Sequence, residues 1–250
     1  MRRHPAAIAF FAILALCRVQ ASGSEKPLTF HPRGDDAIDL QGLLQVPQGP
    51  AGPVPGVVIC HPDPRYGGSL NSHVVTGVQG ACGEMGWASL RFNFRGVDRS
   101  GGVFDDGKGE VADCLGALDR LRSTPGVDPA RVALVGYSFG SWVGLRAAVS
   151  DGHVPACVCL SFPVPAEEDI ARHGYFADIR FPVLLLSGTE DNISWLPTIE
   201  AIVAANRSSD YCRVVALEGA GHFYSSPADL AAAKRATTAF LHRLLVPRTP

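Results

Sequence analysis

A serine with the surroundings of a catalytic nucleophile lies in the middle of the chain. Residues 136–140 read G-x-S-x-G, end an apolar run over residues 131–137 and begin a segment rich in small residues. A strand that turns sharply into a helix here would present the Ser138 hydroxyl at the carboxyl end of a sheet, and the two glycines would remove Cβ atoms that clash. The pentapeptide alone is a weak signal. Its position between a strand and a helix favours a nucleophile over a serine that only caps a helix.

A serine hydroxyl attacks efficiently only beside a base that is itself oriented by an acid. Two later apolar runs, residues 181–187 and 211–217, are followed by Asp191 and His222 respectively. Each residue comes just past a predicted strand, so both should lie at the same edge of the sheet as Ser138. The sequence therefore predicts a catalytic triad of Ser138, Asp191 and His222. Glu190 is the rival acid.

Backbone amides near Ser138 are candidates for an oxyanion hole. One donor should be the N–H of Phe139, and the second should come from the loop after the apolar run 54–60. Pro62 and Pro64 in that loop have no N–H, so Asp63 is the nearest donor beyond His61. Arg65 is the alternative. Four more side chains around these loops either reach a substrate or fix their own loop: Tyr66, Asn71, His73 and Arg95.

No metal or cofactor site is predicted. His61 and Asp63 form an isolated H-x-D without further ligands, and no Cys/His spacing typical of zinc is present. Glu110 and Asp113 begin a predicted helix, where acids favour the positive end of the dipole, so they are assigned no chemistry. Six cysteines lie outside the first two dozen residues and favour core thiols over a disulfide framework: Cys60, Cys82, Cys114, Cys157, Cys159 and Cys212.

These residues need a scaffold of strands that alternate with helices. Short apolar runs at residues 54–60, 87–94, 131–137, 154–160, 181–187 and 211–217 are mostly continuous, which is typical of parallel strands covered on both faces. Segments whose apolar residues recur at helical spacing lie between them. Ser226 as an N-cap and Pro227 in the first turn indicate the start of a last helix. Residues 38–46 are expected to add an antiparallel strand. The fold class is therefore α/β, a doubly wound, mostly parallel sheet in one domain over residues 24–250.

The candidate site residues and the order of the predicted strands resemble those of the α/β-hydrolases, in particular the small, lidless serine hydrolases similar to dienelactone hydrolase. The likeness covers about residues 38–245 and includes H-P-D-P-R-Y-G-G at 61–68, F-N-F-R-G-V-D-R-S-G-G at 92–102, and the segments 136–140, 188–191 and 219–222. Dienelactone hydrolases themselves use a cysteine nucleophile where this chain has Ser138. The resemblance implies hydrolysis of a carboxylic ester, thioester or amide through an acyl-enzyme.

The site is expected to be open. About 20 residues separate the strands at 154–160 and 181–187, which leaves room for one short helix and a minimal cap or none. A small-molecule acyl ester is therefore the expected substrate. Two alternatives are a serine peptidase of the same fold and a non-catalytic binding protein related to hydrolases. The peptidase is disfavoured by the lack of a predicted accessory domain, and the binding protein by the complete set of triad candidates.

Composition narrows the class of partner and the compartment. The 250 residues are 46% hydrophobic and carry a formal net charge of −2, which argues against nucleic acid or an anionic membrane as a partner. Residues 1–23 combine Arg2 and Arg3 with an apolar run of about a dozen residues and a small residue at Ala21, the pattern of a cleaved export signal. The run is too short to span a bilayer. We therefore expect a periplasmic or secreted protein without a stable membrane partner. The alternatives are an uncleaved N-terminal anchor and a disordered leader on a cytoplasmic protein.

Overall fold

The computed structural model describes residues 23–50, 52–165 and 169–246. The predicted export signal, apart from Gly23, lies outside these residues. Eight strands follow one another along the described chain: β1 (Lys26–Phe30), β2 (Leu40–Gln45), β3 (Val54–Cys60), β4 (Ala88–Phe92), β5 (Val127–Tyr137), β6 (Cys157–Leu160), β7 (Val183–Gly188) and β8 (Cys212–Leu217). They form one sheet in the order β1-β2-β4-β3-β5-β6-β7-β8.

The sheet is parallel except at one edge. Strand β2 pairs antiparallel with β1 and with β4, whereas all other neighbours are parallel. The predicted doubly wound, mostly parallel sheet is confirmed, as is the antiparallel strand at residues 38–46. Strand β1 was not predicted. It lies at the edge of the sheet and most of its side chains are exposed, so its sequence lacks the apolar run that marks the inner strands.

Continuous apolar runs form the inner strands because both faces of the sheet are covered. All seven residues of β3 are buried, and successive side chains enter opposite cores. Val57 and Ile59 pack on one face, while Val58 and Cys60 pack on the other. Each fully buried aliphatic side chain of this kind contributes about 1.5–3 kcal/mol to folding, so the sheet centre is the most strongly stabilised part of the scaffold.

Five α-helices of the described ranges cover the sheet. Helices α1 (His73–Glu84) and α5 (Pro227–Leu245) supply apolar side chains to the core on one face, and α2 (Lys108–Arg122), α3 (Phe139–Asp151) and α4 (Leu196–Ala205) supply the other. The predicted start of the last helix is confirmed, since Ser226 Oγ accepts the N–H of Asp229 at 3.1 Å. Short 3-10 segments occur at Pro64–Tyr66 and Ile170–Asp178. Within the described ranges no helix is both long enough and apolar enough to cross a bilayer.

The cysteines behave as core residues. All six that were singled out in the sequence are free thiols and buried, and the Sγ atoms of Cys60 and Cys114 lie 3.4 Å apart between β3 and α2. Burial raises the pKa of Cys82 to about 12, so this thiol stays protonated and unreactive at neutral pH. The preference for core thiols over a disulfide framework is confirmed for the described chain.

Candidate active site

The turn between β5 and α3 places Ser138 in a strained conformation. Its φ of 52° and ψ of −122° lie in a region that non-glycine residues rarely adopt, at a cost of roughly 1–3 kcal/mol. Hydrogen bonds on both sides hold the turn: the Ser138 N–H donates to the carbonyl of Leu160 at 2.9 Å, and the Ser138 carbonyl accepts the Ser141 N–H at 2.8 Å. The hydroxyl therefore stands at the carboxyl end of the sheet, at the start of α3.

The two glycines of the pentapeptide allow the backbone to approach itself closely. A Cβ at Gly136 would overlap the carbonyl oxygen of Gly140, and a Cβ at Gly140 would overlap the carbonyls of Cys60 and His61. Neither glycine has a positive φ. Both are therefore required by space and not by backbone conformation, in agreement with the reason that the sequence suggested.

A continuous chain of hydrogen bonds joins the three predicted triad residues. Ser138 Oγ lies 2.9 Å from His222 Nε2, and His222 Nδ1 lies 2.9 Å from both carboxylate oxygens of Asp191. A carboxylate only accepts, so Nδ1 carries the proton, and Nε2 is left to accept from the serine hydroxyl. All three residues are buried, with exposed fractions of 8% for Ser138, 7% for His222 and 2% for Asp191. The geometry fits a nucleophile, a base and an orienting acid.

Backbone N–H groups of the loop that follows Asp191 hold its carboxylate in place. Its Oδ1 accepts the N–H groups of Ile193 at 3.0 Å and Ser194 at 2.8 Å. Burial raises the pKa of this carboxyl. The hydrogen bond from His222, the electrostatic interaction with His222 and hydrogen bonds from further donors lower the pKa by more, so it lies below the ordinary value. Asp191 is therefore ionised at neutral pH. Glu190 is exposed, and the structure places Asp191, not Glu190, against His222.

The two predicted oxyanion donors lie beside the same cavity as Ser138. Phe139 and Asp63 both line it, and within the described chain neither backbone N–H donates to another group. The alternative, Arg65, already donates its N–H to the Asp63 carboxylate at 2.9 Å. Asp63 thus remains the better candidate of the two, and its role stays a prediction.

His61 shapes the loop that carries Asp63. Its Nε2 accepts the N–H of Phe94 at 3.0 Å, and its Nδ1 lies 2.6 Å from the carbonyl of Pro62. Both ring nitrogens are therefore engaged by backbone. Among the described residues, no group of three or more His, Cys, Asp or Glu side chains is arranged to hold a metal ion. The interpretation of His61 as a loop-shaping residue fits these contacts.

The buried imidazole of His61 should make stability depend on pH. Burial lowers its pKa to about 4, despite the opposing contact with Pro62, whereas an unfolded histidine titrates near 6.5. Below about pH 6.5 His61 becomes protonated in the unfolded chain, whereas it stays neutral in the folded chain down to about pH 4. The contribution of His61 to the unfolding free energy is therefore fully present above about pH 6.5, and up to ~3 kcal/mol of it is lost as the pH drops to about 4. Urea unfolding at several pH values across this window measures the loss.

The matched variant for this prediction is His61→Gln, whose amide can replace Nε2 as an acceptor. We expect the unfolding free energy of the variant to change less between about pH 7 and pH 4.5, by roughly 2 kcal/mol, than that of the parent. Other carboxyl groups titrate in both proteins, so only the difference is interpreted. Equal pH dependence in the two proteins would show that His61 is not held neutral.

The triad opens into a cavity of about 1290 Å³. Its walls come from the loop after β3, the first half of α3, the loop after β6 and the loop of His222. Several wall residues were not singled out in the sequence, among them Trp142, Arg146 and Tyr175. Trp142 and Arg146 follow Ser138 at intervals of four residues in α3, so helical spacing from the nucleophile was a signal that could have identified them.

The four undecided loop residues divide between two roles. Tyr66 and His73 line the cavity, and His73 Nε2 also lies 2.8 Å from the carbonyl of Phe223, next to His222. Asn71 Oδ1 accepts from Arg91 at 2.9 Å, and Arg95 pairs with the buried carboxylate of Asp113 at 2.6 Å. Asn71 and Arg95 therefore fix loops and helices.

Glu110 has a structural role at the start of α2. Its carboxylate accepts the N–H groups of Asp105 and Gly107 at 2.8 Å each. These bonds satisfy backbone donors before the first turn of the helix. Together with the Arg95 ion pair of Asp113, they agree with the expectation that Glu110 and Asp113 carry no chemistry.

Known proteins share this fold and are similar to this chain in part of their sequence. A family model described as an alpha/beta hydrolase domain matches residues 66–239. A protein of Xanthomonas campestris, described as an α/β serine hydrolase without lid, is 27% identical with a TM-score of 0.72 over 90% of this chain and 97% of its own. An α/β serine hydrolase homologue from Coxiella burnetii is 28% identical with a TM-score of 0.68 over 88% of this chain and 97% of its own.

A curated relative extends this similarity at the level of sequence. An uncharacterized protein of Rickettsia prowazekii is 29% identical over 192 residues, which is 74% of this chain and 77% of the relative. The family match covers well over half of the chain, and the strand order and the solved structures agree with it. The chain belongs to the α/β-hydrolase family.

Proposed function

We propose that this protein is a serine hydrolase that cleaves a small carboxylic ester through an acyl-enzyme on Ser138. The observation that carries the proposal is the hydrogen-bonded series Ser138, His222 and Asp191 at the floor of an open cavity. A solved relative that is 27% identical and described as a serine hydrolase without lid supports the same reaction class. Thioesters and amides are accessible to the same chemistry, and the ester is the expected preference.

The first half of the reaction forms the acyl-enzyme. His222 Nε2 takes the proton of Ser138 Oγ as that oxygen bonds to the substrate carbonyl carbon, and Asp191 stabilises the resulting imidazolium. The tetrahedral oxyanion accepts hydrogen bonds from the backbone N–H groups of Phe139 and Asp63. The bond to the leaving oxygen then breaks, and His222 returns the proton to the departing alcohol.

The second half releases the acyl group by the same groups in reverse. A water molecule gives a proton to His222 Nε2 and attacks the acyl carbon, and the amides of Phe139 and Asp63 again hold the oxyanion. Collapse breaks the bond to Ser138 Oγ, which recovers its proton from His222. A carboxylic acid leaves, and the enzyme is restored without a metal or a cofactor entering any step.

The shape of the cavity supports a small substrate over a peptide or a lipid surface. The described part of the segment between β6 and β7 forms only the 3-10 segment Ile170–Asp178. This is the position at which the fold can carry a lid, and here the segment forms only a short wall of the cavity. We also propose, from residues 1–23, that the protein is exported before it meets its substrate. Localisation of a tagged full-length chain by cell fractionation addresses that point.

Hydrolysis of p-nitrophenyl butyrate by the purified protein tests the proposal. We expect saturable turnover that a fluorophosphonate abolishes and that a chelator leaves unchanged, because a serine and not a metal provides the nucleophile. Rates on the matching thioester and anilide then rank the bond types. Failure to hydrolyse any ester, thioester or amide in such a panel would favour the alternative of a non-catalytic binding protein.

A further inference from the structure

One arginine of the cavity wall lies on the same helix as the proposed nucleophile. Arg146 follows Ser138 by two turns of α3 with Trp142 between them, and all three residues line the cavity. About 12 Å of helix rise separates positions 138 and 146. The guanidinium stacks on the ring of Trp142, which lies one turn nearer to Ser138 on the same helix.

The charge of Arg146 has no acidic counterpart in the described chain. The residue is half-buried, and its guanidinium carbon lies 5.1 Å from the ring centre of Trp142 and 6.0 Å from that of Tyr175. No hydrogen bond or ion pair to it occurs within the described residues. By contrast, Arg65, which also lines the cavity, pairs with Asp63 at 2.7 Å. A partly desolvated guanidinium without a carboxylate favours the binding of an anion.

The ring of Tyr175 flanks the same guanidinium from the segment after β6. The hydroxyl oxygen of Tyr175 is buried, so it is not a donor to the cavity. Burial raises the pKa of Tyr175 well above its ordinary value, so the phenol stays neutral and does not compensate the charge of Arg146. Arg146 therefore presents its N–H donors to the cavity beside two aromatic rings.

We propose that Arg146, between the rings of Trp142 and Tyr175, forms a carboxylate subsite and that the substrates are esters whose acyl part ends in a carboxylate. The inference rests on the proposed function, because it defines which esters reach Ser138. The guanidinium presents paired N–H donors that match the two oxygens of a carboxylate. Trp142 covers the apolar chain between the scissile carbonyl and the bound acid. The product would be a free dicarboxylate.

Two esters that differ only in one charge test the subsite. The substrates are mono-p-nitrophenyl adipate and its methyl ester, each corrected for uncatalysed hydrolysis. We expect the parent to prefer the acid over the methyl ester in kcat/KM, and we expect Arg146→Gln to lower this preference by about 10- to 100-fold. The ratio within each variant removes any general loss of activity.

A matched control removes the same charge elsewhere. Arg213 is an exposed arginine of β8 outside the cavity, and Arg213→Gln is expected to leave both rates and their ratio unchanged. Hemiesters of succinate, adipate and suberate then locate the preferred spacing between carbonyl and acid. If esters are hydrolysed but Arg146→Gln leaves the ratio as in the parent, the subsite is wrong while the proposed function stands.

Binding without turnover separates the two claims. Calorimetric titration of Ser138→Ala with adipate should show binding that is weakened at least tenfold when Arg146→Gln is added. This readout holds even if no ester is hydrolysed, in which case the proposed function fails and adipate binding alone decides the subsite. Absence of adipate binding in the protein that retains Arg146, or equal binding in both proteins, would overturn the inference.

Discussion

Ser138→Ala is expected to lower kcat/KM for p-nitrophenyl butyrate by about 10⁴-fold or more. The substitution removes the only atom that would bond to the acyl carbon, Oγ, which lies 2.9 Å from His222 Nε2. Alanine and serine both carry a Cβ, so the strain of the turn at φ 52° is the same in the two proteins. The loss should therefore appear in activity and not in stability, and steady-state kinetics with circular dichroism and thermal unfolding measure both.

A serine farther along the same helix provides the control. Ser150 is exposed near the end of α3, and Ser150→Ala should keep the activity of the parent. The comparison excludes a general effect of removing a hydroxyl from α3. Activity of Ser138→Ala within tenfold of the parent would rule out Ser138 as the nucleophile.

Asp191→Asn is expected to lower kcat by roughly 10³- to 10⁴-fold. The two Asp191 oxygens at 2.9 Å hold the proton of His222 on Nδ1. An asparagine amide that donates to Nδ1 would shift the proton to Nε2, the atom that must accept from Ser138. It would also remove the negative charge that stabilises the imidazolium. Stopped-flow measurement of p-nitrophenol release follows the effect on the acylation step.

Glu190→Gln is the matched control for this second prediction. The substitution makes the same chemical change one position earlier, at an exposed side chain. We expect its kcat to stay within about threefold of the parent, because exposed charges outside the site contribute little. A severe loss in Glu190→Gln with a mild loss in Asp191→Asn would reverse the assignment of the acid.

Local sequence features were sufficient to predict the main parts of the site. Ser138, Asp191 and His222 each follow a predicted strand, and in a parallel sheet the carboxyl ends of the strands meet at one edge. Their positions in the chain therefore implied that they would be neighbours in space. The glycines at 136 and 140 were also interpretable, because close backbone approach excludes any side chain there.

Features that depend on tertiary packing were harder to predict. Strand β1 is an exposed edge strand whose sequence shows no apolar run. The role of Arg95 depends on a buried ion pair with Asp113 across 18 residues, which periodicity does not reveal. Arg146 and Tyr175 come from α3 and from the segment after β6, so their meeting in one wall follows from how those elements pack.

The most direct test of the acyl-enzyme on Ser138 is mass spectrometry of the protein after reaction with a fluorophosphonate. We expect one phosphonyl group per chain, located by peptide mapping on Ser138, with complete loss of esterase activity at full labelling. Ser138→Ala should gain no mass under the same conditions. A label on another residue, or full esterase activity in a protein whose Ser138 is fully labelled, would contradict the proposed mechanism.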